Sequence, residues 1–212
     1  MAVAIGSKEL EAAQRIFSDR LPLAERFVEH LATSGIERGL LGPREVPRLW
    51  DRHVLNCAVV AEFLRGKSRV ADVGSGAGLP GLALAIARPD AQLVLIEPLE
   101  RRVNWLREVR EDLELDNVEV FRGRAEQAVG KVNVDVVTAR AVSALSGLAA
   151  MTIPLLGGAG EVLAIKGRSA AEEVAKASKV IRRLGGVKTS VEVAGSAFLD
   201  EPTTVVRIVV GA

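Results

Sequence analysis

From residue 68 onward, short runs of aliphatic and β-branched residues alternate with longer segments whose apolar positions recur every three or four residues. The short runs have the length and composition of buried strands, and the longer segments have the period of helices packed on one face. Strands are predicted over residues 70–74, 93–97, 118–121, 134–139 and 162–166, and helices over 79–87, 99–115, 125–129, 143–155 and 169–184. Strands that alternate with helices pair in parallel through right-handed crossovers. The pattern then changes. Residues 187–193 and 203–210 are two β-branched runs with Gly195 and Pro202 between them and no helical segment. They predict an antiparallel hairpin. Residues 1–66 carry only the helical period. Ser7 suits the cap of a first helix with Leu10, Ala13 and Phe17 on one face. Pro22 suits the first turn of a second helix, which Gly35 can end. A third helix is expected over 48–64, where Arg48, Arg52 and Asn56 recur every four residues and would share one side. The expected organisation is a helical extension, 1–66, ahead of an α/β domain, 67–212.

Composition narrows the setting without naming a chemistry. The 212 residues are 49% hydrophobic and 26% charged, with net charge +1, an ordinary globular profile with no global basic signal. A nucleic-acid partner would have to be met by local patches. One cysteine, Cys57, and two histidines argue against a disulfide framework and against a metal site. The chain has no apolar run long enough to cross a bilayer, and its start lacks the basic and apolar regions of a secretory signal. A cytoplasmic protein, monomeric and away from membranes, is the expectation.

The chemistry is concentrated where the first strand ends. Asp72-Val73-Gly74-Ser75-Gly76-Ala77-Gly78-Leu79-Pro80-Gly81 runs from strand into a glycine turn and then into an apolar helix. Three alternate glycines free the backbone for positive φ and close approach to a ligand. The helix that follows offers unpaired N–H groups. Glu97, at the end of the second strand, is placed to accept two ribose hydroxyls. Gly76-Ala77-Gly78-Leu79-Pro80-Gly81 also fits the dinucleotide fingerprint, but its register is wrong, because the strand ends at Gly74. An anionic Asp72 at the strand end would repel a pyrophosphate. A ligand with no phosphate and a cationic centre suits the pattern, and S-adenosylmethionine (AdoMet) is one. The parallel sheet closed by a hairpin points the same way, to the Rossmann-like fold of AdoMet-dependent methyltransferases.

Ligands of an open α/β sheet bind at the carboxyl ends of the strands. There the third strand gives Arg122-Gly123-Arg124-Ala125-Glu126, the fourth Thr138-Ala139-Arg140-Ala141 and the fifth Lys166-Gly167-Arg168. Ala125 and Glu126 would stand beside an adenine edge. Arg140 suits the methionine carboxylate or a substrate phosphate, which a guanidinium can grip with two bonds. The loop after the fourth strand lacks the Asn/Asp-Pro-Pro-aromatic motif that serves exocyclic base nitrogens. Cys57 lies far in sequence from that loop, which disfavours methylation at pyrimidine carbon five. An acceptor with its own lone pair remains, such as N7 of guanine. Small-molecule N- or O-methylation remains too, as does a non-catalytic AdoMet-binding module of ribosome assembly. No catalytic side chain is singled out. Basic candidates for a nucleic-acid face are Arg48, Arg52, His53, Arg101, Arg102, Lys166 and Arg168. Arg52 and His53 have a second possible role, tying their helix to the sheet domain through a carboxylate such as Asp51 or Asp72.

Nearly the whole chain resembles the ribosomal RNA small subunit methyltransferase G family, also called glucose-inhibited division protein B. The resemblance rests on Asp51-Arg52-His53, the 72–81 segment, Glu97-Pro98, Arg101-Arg102-Val103, Leu106-Arg107-Glu108-Val109, Gly123-Arg124-Ala125-Glu126, Thr138-Ala139-Arg140-Ala141 and Lys166-Gly167. It implies AdoMet as donor and contacts to it at Gly74, Leu79, Ala125, Glu126 and Arg140. It implies N7 methylation of one guanine in 16S rRNA near the decoding site; free rRNA, the 30S subunit and an assembly intermediate all remain as the form of that substrate. Many relatives carry Asp where this chain has Glu97.

Overall fold

Each apolar run after residue 68 enters one seven-stranded sheet. The computed structural model describes residues 3–64, 66 and 68–211. Met1 and Ala2, Arg65 and Lys67 beside the expected domain boundary, and Ala212 lie outside the described residues. The strands are β1 (Arg69–Val73), β2 (Gln92–Glu97), β3 (Val118–Arg122), β4 (Val136–Arg140), β5 (Gly160–Lys166), β6 (Gly186–Ala194) and β7 (Thr203–Val210), in the order β3-β2-β1-β4-β5-β7-β6. The first five are parallel, and β1 lies between β2 and β4. The strand order therefore reverses beside β1, and the crevice outside the strand ends opens there. The expected hairpin forms, and β7 pairs antiparallel with both β5 and β6. Strand boundaries differ from expectation by up to two residues. Gly74 leaves β1 as a turn, and β4 starts at Val136, not at residue 134.

The helices are α1 (Ser7–Phe17), α2 (Leu21–Ala32), α3 (Ser34–Glu37), α4 (Asn56–Ala58), α5 (Gly81–Ala87), α6 (Glu100–Asp112), α7 (Ala125–Ala128), α8 (Leu145–Thr152) and α9 (Ala170–Arg183). The third helix expected over 48–64 is not continuous. Pro43–Arg48 is a 3₁₀ segment, Leu49–Leu55 is wound as a π-helix, and a further 3₁₀ segment, Val59–Phe63, follows α4. Pro47 offers no N–H to an α-helical ladder, which keeps the first part tight. The wider π turns buries Leu49, Trp50, His53, Val54 and Leu55 while Asp51 and Arg52 stay outside. The even spacing of Arg48, Arg52 and Asn56 on one regular helix is therefore lost.

Two apolar clusters flank the sheet. On one side Phe17, Phe27, Leu31, Leu49 and Leu55 pack in a single cluster with Leu82, Leu95, Trp105 and Leu106. The amino-terminal helices thus share a core with α5 and α6. Trp105 Nε1 donates to Ser34 Oγ at 3.0 Å, which fixes α6 to α3. On the other side α7, α8 and α9 cover Val94, Val137, Val162 and Val206.

Candidate functional site

Three glycines of the turn after β1 have left-handed backbone: Gly74 at φ +73°, Gly76 at +53° and Gly78 at +74°. A side chain is strained in that region. Space is a separate constraint. A β-carbon on Gly74 would stand 3.0 Å from Val142 Cγ2, whereas one on Gly76 would meet nothing nearer than the Gly74 carbonyl at 3.7 Å. Gly81 is the tightest position. A β-carbon there would overlap Leu95 Cδ2 and stand 2.6 Å from Asp72 Oδ2. Gly81 carries an ordinary helical backbone, so its closeness to Asp72 was not legible beyond its place as the fourth glycine of the run.

Asp72 is fully buried under this turn. Its Oδ2 accepts the Gly81 amide at 3.0 Å, while Oδ1 is buried with no hydrogen-bond partner in the protein. Burial pushes its carboxyl up to about 7, against the pull of the Gly81 amide, the Ser75 hydroxyl and the Arg140 charge. The sequence pattern sets Asp72 against a phosphate and in favour of a cationic ligand, and the structure places its carboxyl directly beneath the glycine turn.

Glu97 is also buried, and its two oxygens already hold backbone amides. Oε2 accepts Gly76 N at 3.0 Å and Oε1 accepts Leu99 N at 3.0 Å. Arg102 Nη1 stands 3.7 Å from Oε2. The acid therefore clasps the glycine turn to β2. Each carboxylate oxygen retains a second acceptor direction for a ribose hydroxyl.

The remaining expected contacts collect at the same edge. Leu79 and Ala125 are buried, and Glu126 is exposed in the first turn of α7. The Arg124 amide donates to Gln127 Oε1 at 2.8 Å, which closes that turn. Arg140 ends β4. Its Nη2 lies 3.1 Å from His53 Nδ1, and His53 Nε2 lies 2.7 Å from Glu45 Oε2. Burial pulls the His53 pKa below its ordinary range, the Arg140 charge adds to this, and the Glu45 bond opposes it.

The expected basic face divides in two. Arg48, Arg52, Arg101 and Arg168 reach solvent, with Arg48 Nε 3.8 Å from Asp51. His53 and Lys166 have internal partners instead. His53 is 8% exposed, with both ring nitrogens engaged. Lys166 Nζ donates to the Ser143 carbonyl at 2.7 Å and to Glu173 Oε2 at 2.9 Å. The same Glu173 oxygen accepts the Leu145 amide, so the pair fixes the loop between β4 and α8. His53 does tie the amino-terminal segment to the sheet, but through Arg140 and Glu45, not through Asp51 or Asp72. Glu45 gave no signal in the sequence, since its partner lies eight residues on across a π turn. Among the described residues no group of three His, Cys, Asp or Glu side chains is placed to hold a metal ion.

The donor set fits AdoMet. The turn offers left-handed glycines, the buried Oδ1 of Asp72 is an unpaired acceptor for a cationic group, and Glu97 keeps acceptor directions at the end of β2. The sheet order, this turn and the closing antiparallel pair define an AdoMet-dependent methyltransferase of the Rossmann-like fold. TYW2 of M. jannaschii, solved in complex with AdoMet, is similar in fold at TM-score 0.56, with 15% identity over 76% of each chain. An AdoMet-dependent O-methyltransferase from Thermotoga maritima gives TM-score 0.55 at 15% identity, covering 74% of this chain and 65% of that one.

The rRNA small subunit methyltransferase G family model matches residues 20–201, and the chain belongs to that family. Its relatives include the ribosomal RNA small subunit methyltransferase G of Paenarthrobacter aurescens, 72% identical over 98% of this chain and 96% of the relative. The protein of the same name from Streptomyces avermitilis is 54% identical over 95% of this chain and 85% of the relative.

Proposed function

We propose that this chain transfers a methyl group from AdoMet to N7 of a guanine in 16S rRNA near the decoding site. Gly74, Gly76, Gly78, Leu79, Glu97, Ala125, Glu126 and Arg140 would hold the donor, which supplies an electrophilic methyl group on a sulfonium. The observation that carries the choice of acceptor is the segment leaving β4. Thr138-Ala139-Arg140-Ala141 offers neither the carbonyl-and-aromatic motif nor a nucleophile. Thr138 Oγ1 is committed to the Leu163 carbonyl at 3.0 Å. N7 of guanine carries its own lone pair, so no side chain has to take a proton before transfer. The protein's contribution is then positioning and exclusion of water. Of the basic candidates, Arg48, Arg52, Arg101 and Arg168 reach solvent and would meet phosphates. The chain acts as a monomer in the cytoplasm, where its substrate is made.

The test offers tritiated AdoMet with 30S subunits, bare 16S rRNA and a metabolite extract in parallel. Label in a single rRNA fragment supports the proposal, and label in metabolites rejects it in favour of a small-molecule enzyme. AdoMet binding without turnover on any of the three rejects catalysis. With donor and rRNA saturating, the single-turnover rate stays nearly flat from about pH 6 to 9, where a general base would give a titrating limb.

A further inference from the structure

Arg140 has only donors to offer, so His53 Nδ1, 3.1 Å from its Nη2, must present a lone pair. The ring proton then sits on Nε2 and is donated to Glu45 Oε2 at 2.7 Å. These two contacts fix one tautomer and one charge state. A ring protonated on both nitrogens would set an N–H against the guanidinium. The charged groups facing the ring are Glu45 from the 43–48 segment, Arg52 beside it and Arg140 from β4. Arg140 faces the other way as well, since its charge acts on buried Asp72 beneath the glycine turn. The Arg52 carbonyl, 3.5 Å from Arg140 Nη1, brings the π-helical segment to the same guanidinium.

We infer that Glu45 and His53 are positioning residues for Arg140. The neutral imidazole, its tautomer set by Glu45, holds the guanidinium at the carboxyl end of β4 and joins it to the segment that carries Arg48 and Arg52. The inference rests on the reading that Arg140 borders the methyl-donor site. Seating of rRNA on the 48–52 segment then reaches the donor site through one ring and one guanidinium.

The experiment compares His53→Ala, His53→Asn, Glu45→Ala, Arg140→Ala and the His53→Ala/Arg140→Ala double variant in the full-length protein. Single-turnover methyl transfer to 30S subunits, rRNA KM, AdoMet affinity and melting temperature are measured for each. His53→Ala and Glu45→Ala lower the transfer rate about 10- to 100-fold, the scale of a misplaced positioning group. The rRNA KM stays within about threefold, which marks a loss expressed in the transition state. His53→Asn, whose amide oxygen can accept from Arg140, regains most of the rate. The double variant is no slower than Arg140→Ala alone. Wild-type transfer falls on the acid side of the ordinary histidine range as Nδ1 takes a proton, and the fall is absent in His53→Asn. A folded His53→Ala protein with normal rate and pH profile beside an impaired Arg140→Ala protein overturns the positioning role alone. Additive losses in the double variant overturn it too. A normal rate in Arg140→Ala overturns the placement of Arg140 at the donor site.

Discussion

Asp72 and Glu97 are two buried acids on neighbouring strands, and their environments set them apart. Glu97 accepts two amides and has Arg102 nearby, whereas Asp72 accepts one amide and keeps an unpaired oxygen. Because burial raises the Asp72 pKa to about 7, its protonated form contributes stability that is complete below its ordinary range near 3.9 and is lost as pH rises through about 7. A cationic ligand beside Oδ1 favours the carboxylate and expels that proton. AdoMet binding therefore releases close to one proton at pH 6 and almost none above pH 8, and Asp72→Asn abolishes the release. Calorimetry in buffers of different ionisation enthalpy reads this directly, and equal enthalpies across buffers at pH 6 reject it. Glu97→Ala removes charge-assisted bonds worth about 1.5–3 kcal/mol each. AdoMet affinity is expected to fall roughly 10- to 1,000-fold. An unchanged affinity in folded protein removes Glu97 from the donor site.

The glycine turn and the π-helical segment place the site's parts, and they differ in how far the sequence discloses them. The 72–81 run could be read because its glycines meet a backbone requirement that no other residue satisfies at equal cost. The Glu45–His53–Arg140 link could not, because the pairing depends on a π turn and on a strand nearly ninety residues further on. The period of 48–64 was apolar enough for a helix, but Pro47 and the fit of Trp50 and Leu55 to the core set its winding instead. Gly76 and Gly81 answer to different constraints. Gly76→Val strains a left-handed backbone with open space around it, so AdoMet binding should be lost with a smaller change in melting temperature. Gly81→Ala forces a methyl between Leu95 and Asp72 and should destabilise the fold by about 1–3 kcal/mol, the range for an overpacked core. Chemical denaturation separates the two, and a Gly81→Ala protein as stable as wild type contradicts the packing reading. Across the join of the 3₁₀ and π segments, replacing both Arg48 and Arg52 with Ala should weaken rRNA binding and leave AdoMet affinity intact. The salt slope of binding should shrink by about 0.7–0.9 per lost phosphate contact. If the slope holds while the melting temperature drops, these arginines serve the fold.

At the scale of the molecule, the parallel order, the closing antiparallel pair and the clustering of polar residues at one sheet edge all follow from the alternation of strand and helix in the sequence. How the amino-terminal helices join that sheet does not, because their apolar faces fit several partners equally well before packing is known. Packed as they are, they seal Cys57 completely, and burial pushes its thiol up to about 11. At pH 8 only about one thiol in a thousand is ionised, and it is out of reach of reagent. Alkylation by iodoacetamide should therefore proceed only as fast as the protein opens. Its rate should rise with denaturant in step with loss of structure, and rapid labelling of native protein would show that the helices part from the sheet readily. The placement of β7 between β5 and β6 bears on a different process, the emergence of the chain during translation. Until residues 203–210 leave the ribosomal exit tunnel, β5 is a bare edge and β6 has no neighbour. Nascent chains stalled with only the first 200 residues exposed should remain open to protease, and closure of the sheet should wait for that strand to arrive.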